Sequence, residues 1–312
     1  LFPPAFKDKV KLLLLILRYD WRIIPYPVPE SGMFNGITED ELLEKFRNLD
    51  SDSIQVGRQF LQMQKRSPQD YCMALCNRSL YCPTTARKLE WPVSNEVLST
   101  MWKKHIPSRW GDVSTLYFHN GLRLLTPEVL AYIRDAIFID AGAACGDSAL
   151  MLMNYNPESV FSFEPSPSNA SLYRQLMQLN TVQNEKYRLF EIGLSSKNGS
   201  IRFRDSSSGN NRLDGDCSGN LEVKITTLDA VLEKFPGKRI GFIKADLEGM
   251  GLKMLYGAER TIRVHRPVLA LSIYHNPEEF FGIYQVLEEW TLWFILRLHC
   301  LPFHESYLQE KR

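Results

Sequence analysis

A run of small residues follows an acid near the middle of the chain. Asp140 ends an apolar segment, and Gly142 and Gly146 come soon after it. Glycine adopts turn conformations that are closed to other residues, and the N–H groups at the start of a following helix can bind a carboxylate or a phosphate. The dinucleotide pattern G-x-G-x-x-G is absent, because three residues separate Gly142 from Gly146. The segment therefore predicts a loop that binds a ligand with a methionine-like tail rather than a dinucleotide.

A second acid ends the next apolar run along the chain. Glu164 follows residues 159–163 and precedes Pro165. A carboxylate at the end of the second strand of an α/β sheet can accept hydrogen bonds from both hydroxyls of a ribose. Two strand ends with this chemistry predict a nucleoside-binding site. Taken singly, each feature has a simpler interpretation, which is a glycine turn for the loop and a solvated strand end for Glu164.

Short apolar runs alternate with helical patterns in the part of the chain that holds both acids. The runs span residues 136–140, 159–163, 188–192, 240–245 and 268–273. Strands that are apolar on both faces and separated by helices are typical of a mostly parallel sheet with helices on both faces. The carboxyl ends of such strands meet at one edge, where ligands bind. Residues 200–203 and 221–225 predict a hairpin, whose polar tip at 206–219 is either a lid or a loop without a role.

The first 126 residues form a different pattern, in which helical segments are separated by Pro, Asn, Asp and Ser. Thr38 and Glu41 form a capping box, and no alternating run is long enough to predict a strand. The apolar run at 12–17 is too short to span a bilayer. We predict an N-terminal helical region at 1–126, either a cap or a separate binding module, and a ligand-binding domain at 127–312.

Three motifs occur in order along the chain, namely I-D-x-G-x-x-x-G at 139–146, F-E-P at 163–165 and I-K-x-D-x-E-G at 243–249. With these motifs, residues 118–300 resemble the FkbM family of methyltransferases. Shorter matches follow at 193–195, 227–229, 255–258 and 272–275. The resemblance implies a class I methyltransferase sheet, which is Rossmann-like and mostly parallel, with S-adenosylmethionine as cofactor. It also implies an O-methyltransferase that acts on a hydroxyl of a sugar, glycan or other small molecule.

The predicted cofactor site combines the loop, the second strand end and one further family match. Its residues are Asp140, Gly142, Ala143, Gly146, Asp147, Ser148, Glu164, Pro165, Gly193 and Leu194.

Methyl transfer from a sulfonium requires an acceptor oxygen held in line with the methyl carbon and a group that removes a proton. Lys244, Asp246 and Glu248 alternate at a strand end, which predicts one common rim while the chain stays extended. Asp246 would orient the acceptor or take its proton, Lys244 would lower the acceptor's pKa or keep Asp246 ionised, and Glu248 would bind a hydroxyl. His275 is predicted beside Asp246 as a neutral base. The simpler interpretations are a salt-bridged strand end and a structural histidine.

One position departs from the family pattern, which usually continues D-x-E-G-x-E. Gly251 replaces the last acid. If that acid orients the acceptor or a metal, this chain uses another substrate or has weakened activity. A non-catalytic S-adenosylmethionine-binding or scaffold protein is therefore the alternative, whereas a nicotinamide-dependent oxidoreductase is disfavoured by the missing central glycine. Two carboxylates are weak support for a divalent cation, so we predict no required metal.

Composition limits the partners and the compartment. The chain has 37 Lys and Arg against 36 Asp and Glu, a net charge of +1, which provides no basic field for nucleic acid. Six cysteines are spread over 312 residues, unlike a dense disulfide framework, and no targeting segment is evident. We predict a cytoplasmic protein with a small-molecule or glycan acceptor, no nucleic-acid partner and no membrane span; its oligomeric state stays open.

Overall fold

A parallel sheet forms the centre of the computed structural model. The described residues are 12–19, 33–64, 95–107, 113–204, 212–213, 221–290 and 295–302. Their strands are β1 Leu12–Tyr19, β2 Ile137–Ala141, β3 Ser159–Phe163, β4 Tyr187–Phe190, β5 Gly193–Leu194, β6 Gly199–Arg204, β7 Arg212–Leu213, β8 Leu221–Thr226, β9 Ile240–Ala245, β10 Val268–Ser272 and β11 Ile295–Pro302. Within these residues the main sheet has seven strands in the order β11-β1-β10-β9-β2-β3-β4, all paired in parallel.

Helices cover both faces of this sheet. They are α1 Glu39–Lys45, α2 Ser51–Gln64, α3 Val113–Leu116, α4 Pro127–Ile133, α5 Asp147–Leu152, α6 Pro167–Leu179, α7 Leu228–Leu232, α8 Gly251–Tyr256, α9 Glu259–His265 and α10 Pro277–Glu289. Residues 95–103 are also helical, and short 3-10 turns lie at Leu122–Leu124, Met153–Tyr155 and Asn184–Lys186. No helix in the described part of the chain is both long and apolar enough to cross a membrane.

The core divides into two layers because neighbouring residues of a strand point to opposite faces. Ile139 and Ile243 belong to one buried cluster, whereas Phe138 and Phe242 belong to the other. Every residue of β2, β3, β9 and β10 is buried, as expected for strands with helices on both sides. The predicted mostly parallel α/β sheet with helices on both faces is confirmed.

The N-terminal region contributes a strand, which the sequence analysis did not predict. Strand β1 lies between β10 and β11 and pairs with both. The prediction that the first 126 residues contain no strand is therefore wrong at residues 12–19. The run is continuously apolar rather than alternating, and such runs are typical of strands in the interior of a parallel sheet. The boundary at residue 126 stays a prediction.

The N-terminal helices pack against the last helix of the described chain. Thr38 caps α1 by accepting a hydrogen bond from the Glu41 N–H at 3.1 Å, as the capping box predicts. The rings of Phe60 and Phe280 stack with centroids 5.1 Å apart, and Phe46 is fully buried beside them. Aromatic packing therefore fixes these helices to α10.

A second, smaller sheet contains the predicted hairpin. Strands β6 and β8 pair in antiparallel fashion, and β5 pairs with β8, so the described part of this sheet has the order β5-β8-β6-β7. Of the predicted polar tip at 206–219, the described residues include only the short strand β7 at 212–213.

Candidate functional site

A buried ion pair organises the loop that follows β2. Asp140 is completely buried, and its Oδ2 accepts a 2.6 Å hydrogen bond from Ser148 Oγ. Its Oδ1 lies 3.1 Å from Lys244 Nζ, which also donates to the Gly142 carbonyl at 2.6 Å. Asp140 and Lys244 are paired residues on β2 and β9. The pair thus holds the loop, the helix that follows it and β9 together.

Two glycines give this loop its shape. Gly142 has φ +79°, and a Cβ there would lie 2.0 Å from the Asp246 carbonyl oxygen. Gly146 has φ +92°, and its Cβ would lie 2.7 Å from the ring of Tyr173. Both positions therefore require glycine, because of the left-handed backbone and because of close neighbours. The contact with Asp246 places the loop directly against the end of β9.

Four N–H groups of the loop donate hydrogen bonds within the protein. Those of Gly142 and Ala143 donate to Phe163, that of Gly146 donates to the Ala143 carbonyl, and that of Ala144 donates to Glu164. The donors expected for an amino-acid tail are the N–H groups at the start of the following helix, which begins at Asp147, so that expectation stays a prediction. The side chains of Ala143, Asp147 and Ser148 are also buried, the first within the core.

Glu164 joins the end of β3 to the loop. Its Oε2 accepts from the Ala144 N–H at 2.9 Å and its Oε1 from the Ser166 N–H at 2.8 Å. Burial raises the pKa of Glu164 to about 7, against the lowering effect of these hydrogen bonds. Each carboxylate oxygen can accept a second hydrogen bond. A side-chain hydrogen bond with Asn169 also uses this carboxylate. With three of its roughly four acceptor positions used, one position remains for a ribose hydroxyl.

The remaining predicted cofactor residues follow Glu164 along the chain, namely Pro165, Gly193 and Leu194. A Cβ on Gly193 would be 3.8 Å from Pro165 Cβ and 3.2 Å from Ile225 Cγ2, so these predicted residues adjoin one another. Leu194 is buried in the core as part of β5. Gly193 and Pro165 thus lie side by side, next to the acid that ends β3.

A cluster of acids and one histidine lies where β9 and β10 end. His275 Nε2 is 3.3 Å from Asp246 Oδ1 and 3.7 Å from Glu248 Oε2. The Tyr274 hydroxyl donates to Asp246 Oδ1 at 2.9 Å. The predicted position of His275 beside Asp246 is confirmed. His275 is buried, whereas the side chain of Glu248 is about half exposed.

Lys244 does not join this cluster. The prediction of one extended rim from Lys244 to Glu248 is wrong, because β9 ends at Ala245 and Glu248 turns left-handed with φ +50°. Lys244 instead reaches back to Asp140 and Gly142, as described above. Its predicted action on the acceptor or on Asp246 stays a prediction, and its observed contacts hold the loop after β2.

Glu279 is a member of the cluster that the sequence analysis missed. Its Oε2 is 2.9 Å from His275 Nδ1. Burial lowers the pKa of His275, but its close contacts with Asp246 and Glu279 and the charges of Glu248 and Asp246 raise it to about 10. The raised pKa favours the protonated imidazole, so the neutral histidine base stays a prediction without support from this pKa. The sequence signal for this contact is the spacing of four residues between His275 and Glu279. Asn276 caps α10 between them and brings Glu279 into the first turn of the helix.

Gly251 lies against the same carboxylate. The Gly251 N–H donates to Glu279 Oε1, and a Cβ on Gly251 would lie 2.8 Å from that oxygen. The carboxylate of Glu279 therefore occupies the space in front of the position where the family pattern carries an acid. A side chain at 251 and the observed position of Glu279 exclude each other.

We expect Gly251→Ala and Glu279→Ala each to lower the free energy of unfolding by about 1–3 kcal/mol. The first displaces the Glu279 carboxylate, and the second leaves the Gly251 N–H and His275 Nδ1 without their acceptor. In the double variant there is no carboxylate to displace, so the combined loss should be smaller than the sum. Urea unfolding of the three variants measures this, with Gly199→Ala as control because nothing lies within 4 Å of its Cβ. Strictly additive losses would contradict the contact.

The sequence around this site matches a known protein family. Residues 140–297, about half of the 312-residue chain, match the family described as Methyltransferase FkbM domain. The chain belongs to the FkbM methyltransferase family. It is similar to the 2-O-methyltransferase NoeI of Sinorhizobium fredii (strain NBRC 101917 / NGR234), with 31% identity over 88 residues, which are 28% of this chain and 35% of that protein. The match thus spans about a third of that relative's length.

A crystal structure of Methyltransferase FkbM from Methylobacillus flagellatus KT aligns with 80% of this chain and 51% of its own, at 20% identity and a TM-score of 0.49. In the present chain, the motif residues lie at the carboxyl edge of its own sheet. Asp140, Glu164 and Asp246 each lie at or directly after the end of a strand, and His275 follows β10. The close approach of Gly142 to Asp246 brings the loop after β2, which adjoins Glu164, against the end of β9, where the cluster with His275 lies.

Proposed function

We propose that the chain is an S-adenosylmethionine-dependent O-methyltransferase that acts in the cytoplasm on a hydroxyl of a sugar, glycan or other small molecule. The observation that carries the proposal is the contact between the two halves of the site. The loop between Asp140 and Gly146 adjoins Glu164 on one side and Asp246 on the other. A nucleoside-binding half and an acid–histidine half therefore share one sheet edge, as transfer between two bound molecules requires.

The first half fits the nucleoside part of the cofactor. Glu164 is nearly completely buried and held by two backbone N–H groups, so its carboxylate has a fixed direction. One ribose hydroxyl would donate to its remaining acceptor position. The ion pair of Asp140 with Lys244 keeps the loop in place beside Glu164.

The second half fits the acceptor. S-adenosylmethionine supplies a methyl group on a sulfonium, and the electron pair of the broken C–S bond stays on sulfur. The hydroxyl of the acceptor loses its proton as its oxygen bonds to the methyl carbon, and Asp246 or Glu248 receives that proton. Protonated His275 offsets part of the negative charge and, with Tyr274, holds Asp246 in position. The name 2-O-methyltransferase of the similar protein NoeI supports a hydroxyl oxygen as acceptor.

The scaffold alternative was motivated by the missing acid at Gly251. Glu279 provides a carboxylate directly beside Gly251, so the region does not lack one. We therefore favour the enzyme over a non-catalytic binding protein. Transfer of a labelled methyl group from S-adenosylmethionine to a panel of mono- and oligosaccharides separates the two, because a scaffold would bind the cofactor without turnover.

We expect Glu164→Gln to weaken binding of S-adenosylhomocysteine strongly, by about 1.5–3 kcal/mol, because a hydrogen bond to a charged acceptor is lost or inverted. Calorimetric titration measures the change. Glu158→Gln is the matched control, since Glu158 precedes the same strand β3 and makes an exposed ion pair with Lys238. Folded wild-type protein that does not bind the ligand would remove the basis of the proposal.

The same titration has a predicted pH dependence. Binding selects ionised Glu164, whose pKa is raised to about 7 in the folded protein. A raised carboxyl pKa means that the protein takes up a proton as the pH falls through 7, so affinity is lost on the acidic side. Between about pH 8 and about pH 6 the affinity should fall about tenfold. Glu164→Gln should not show this step; an identical pH profile in the variant would assign the step to another group.

A further inference from the structure

We propose that Asp246, Glu248 and His275 form a binding site for one divalent cation. One atom from each residue can be chosen so that all three lie within 4.8 Å of one another. The two carboxylates are joined by an imidazole nitrogen, His275 Nε2, which contacts both of them. Binding of the cation can be tested without cofactor or acceptor, whereas its role in methyl transfer rests on the proposed function.

The distances match those of ligands around one ion. Ligand atoms about 2.1 Å from a metal are separated by about 3.0 Å in octahedral and about 3.4 Å in tetrahedral geometry. His275 Nε2 lies 3.3 Å from Asp246 Oδ1 and 3.7 Å from Glu248 Oε2. The ligand atoms of Asp246 and Glu248 lie within 4.8 Å of each other, and the Glu248 side chain is about half exposed, so its movement would bring all three atoms around one ion.

The imidazole supports this site independently of the acids. His275 Nε2 is buried, its side chain is 5% exposed, and the nitrogen makes no directed hydrogen bond with any described residue. Nδ1 is held by Glu279 Oε2 at 2.9 Å, so in the metal-bound form Nδ1 would carry the hydrogen and Nε2 would present its lone pair to the ion. A carboxylate behind a histidine is the usual arrangement around metal-ligating imidazoles.

The surroundings of the cluster also favour a cation. The Glu279 carboxylate orients His275, and the Tyr274 hydroxyl orients Asp246. Both oriented residues would bind the cation directly. The nearby ammonium of Lys244 is directed to Asp140 and Gly142. One imidazole with two carboxylates suits Mn²⁺ and related ions better than Ca²⁺, which prefers oxygen ligands alone. The coordination positions left by three protein ligands would take water or a hydroxyl oxygen of the acceptor.

Titration of the EDTA-treated full chain with Mn²⁺, followed by the electron paramagnetic resonance signal of free Mn²⁺, tests the site. We expect one bound Mn²⁺ per chain, competed by Mg²⁺ or Zn²⁺. Glu248→Gln should weaken binding by at least about tenfold, and Tyr274→Phe should weaken it less. Glu259→Gln is the matched control, because Glu259 is similarly exposed but pairs with Arg263 away from the cluster.

Three outcomes are distinguishable. Stoichiometric binding that is weakened by Glu248→Gln and unaffected by Glu259→Gln supports the site. Absence of Mn²⁺ binding to folded wild-type protein, or binding that Glu248→Gln leaves unchanged, overturns it. Protein that binds S-adenosylhomocysteine but not Mn²⁺ would refute the cation site and retain the proposed cofactor site. Protein that binds Mn²⁺ but not S-adenosylhomocysteine would support the cation site and refute the proposed cofactor site.

Discussion

Replacement of Asp140 by alanine is expected to lower the free energy of unfolding by about 3–5 kcal/mol, because it leaves the buried ammonium of Lys244 without its counter-charge. Lys244 is 6% exposed, and its Nζ is 3.1 Å from Asp140 Oδ1. The lost hydrogen bond from Ser148 adds to the effect. Urea unfolding followed by circular dichroism measures the change. A strand-end acid that merely faced solvent would give a loss below about 0.5 kcal/mol.

A compensating variant tests the cause. Asp140→Ala combined with Lys244→Met removes both charges and keeps much of the buried volume, so it should recover most of the lost stability. A double variant as unstable as Asp140→Ala would show that another contact of Asp140 dominates. Because of this expected instability, loss of ligand binding in Asp140→Ala alone does not identify Asp140 as a cofactor contact. Glu164→Gln tests the cofactor site more directly.

Replacement of Gly142 by alanine is the second large effect that we expect. A Cβ at 142 would lie 2.0 Å from the Asp246 carbonyl oxygen, which is backbone and has little freedom to move away. The left-handed conformation, with φ +79°, adds strain for any residue with a Cβ. Together these terms predict a loss of roughly 2–5 kcal/mol. The variant should also move the end of β9 away from the loop and reduce S-adenosylhomocysteine binding.

Gly237→Ala is the matched control for this prediction. Gly237 has nearly the same φ, +77°, but nothing lies within 4 Å of its Cβ. It should therefore lose only the conformational term, about 1–2 kcal/mol. The difference between the two variants measures the contact between the loop and Asp246. Equal losses would mean that the backbone of Asp246 yields without cost, and the two halves of the site would then be less tightly joined than the structure indicates.

Strand positions could be predicted well where burial on both faces gives a continuous apolar run. The bounds of β3 and β9 agree with the prediction, and β2 and β10 differ by one residue. The same rule applied to residues 12–17 would have predicted β1. An isolated leucine-rich run also fits a buried helix, however, and only the partners from the distant end of the chain distinguish the two.

The site could be predicted as a set of strand ends but not as a network of contacts. Gly142 and Gly146 were recognisable from their spacing after an apolar run. The direction of the Lys244 side chain was not, because alternation specifies a face of the sheet and a long side chain then reaches whichever partner the loops provide. Glu279 was missed for a related reason, since its contact with His275 depends on how α10 begins and no acidic motif marks it.

The place of β1 in the sheet has a consequence for the order of folding. The first described strand of the chain pairs with β10 and β11, the last two, so its partners are the last described strands to leave the ribosome. Until then a leucine-rich segment remains without its neighbours, and contacts between residues so far apart in sequence are slow to form. We expect the newly made chain to need chaperone protection over most of its synthesis, and a circular permutant that moves residues 12–19 behind β11 to refold faster.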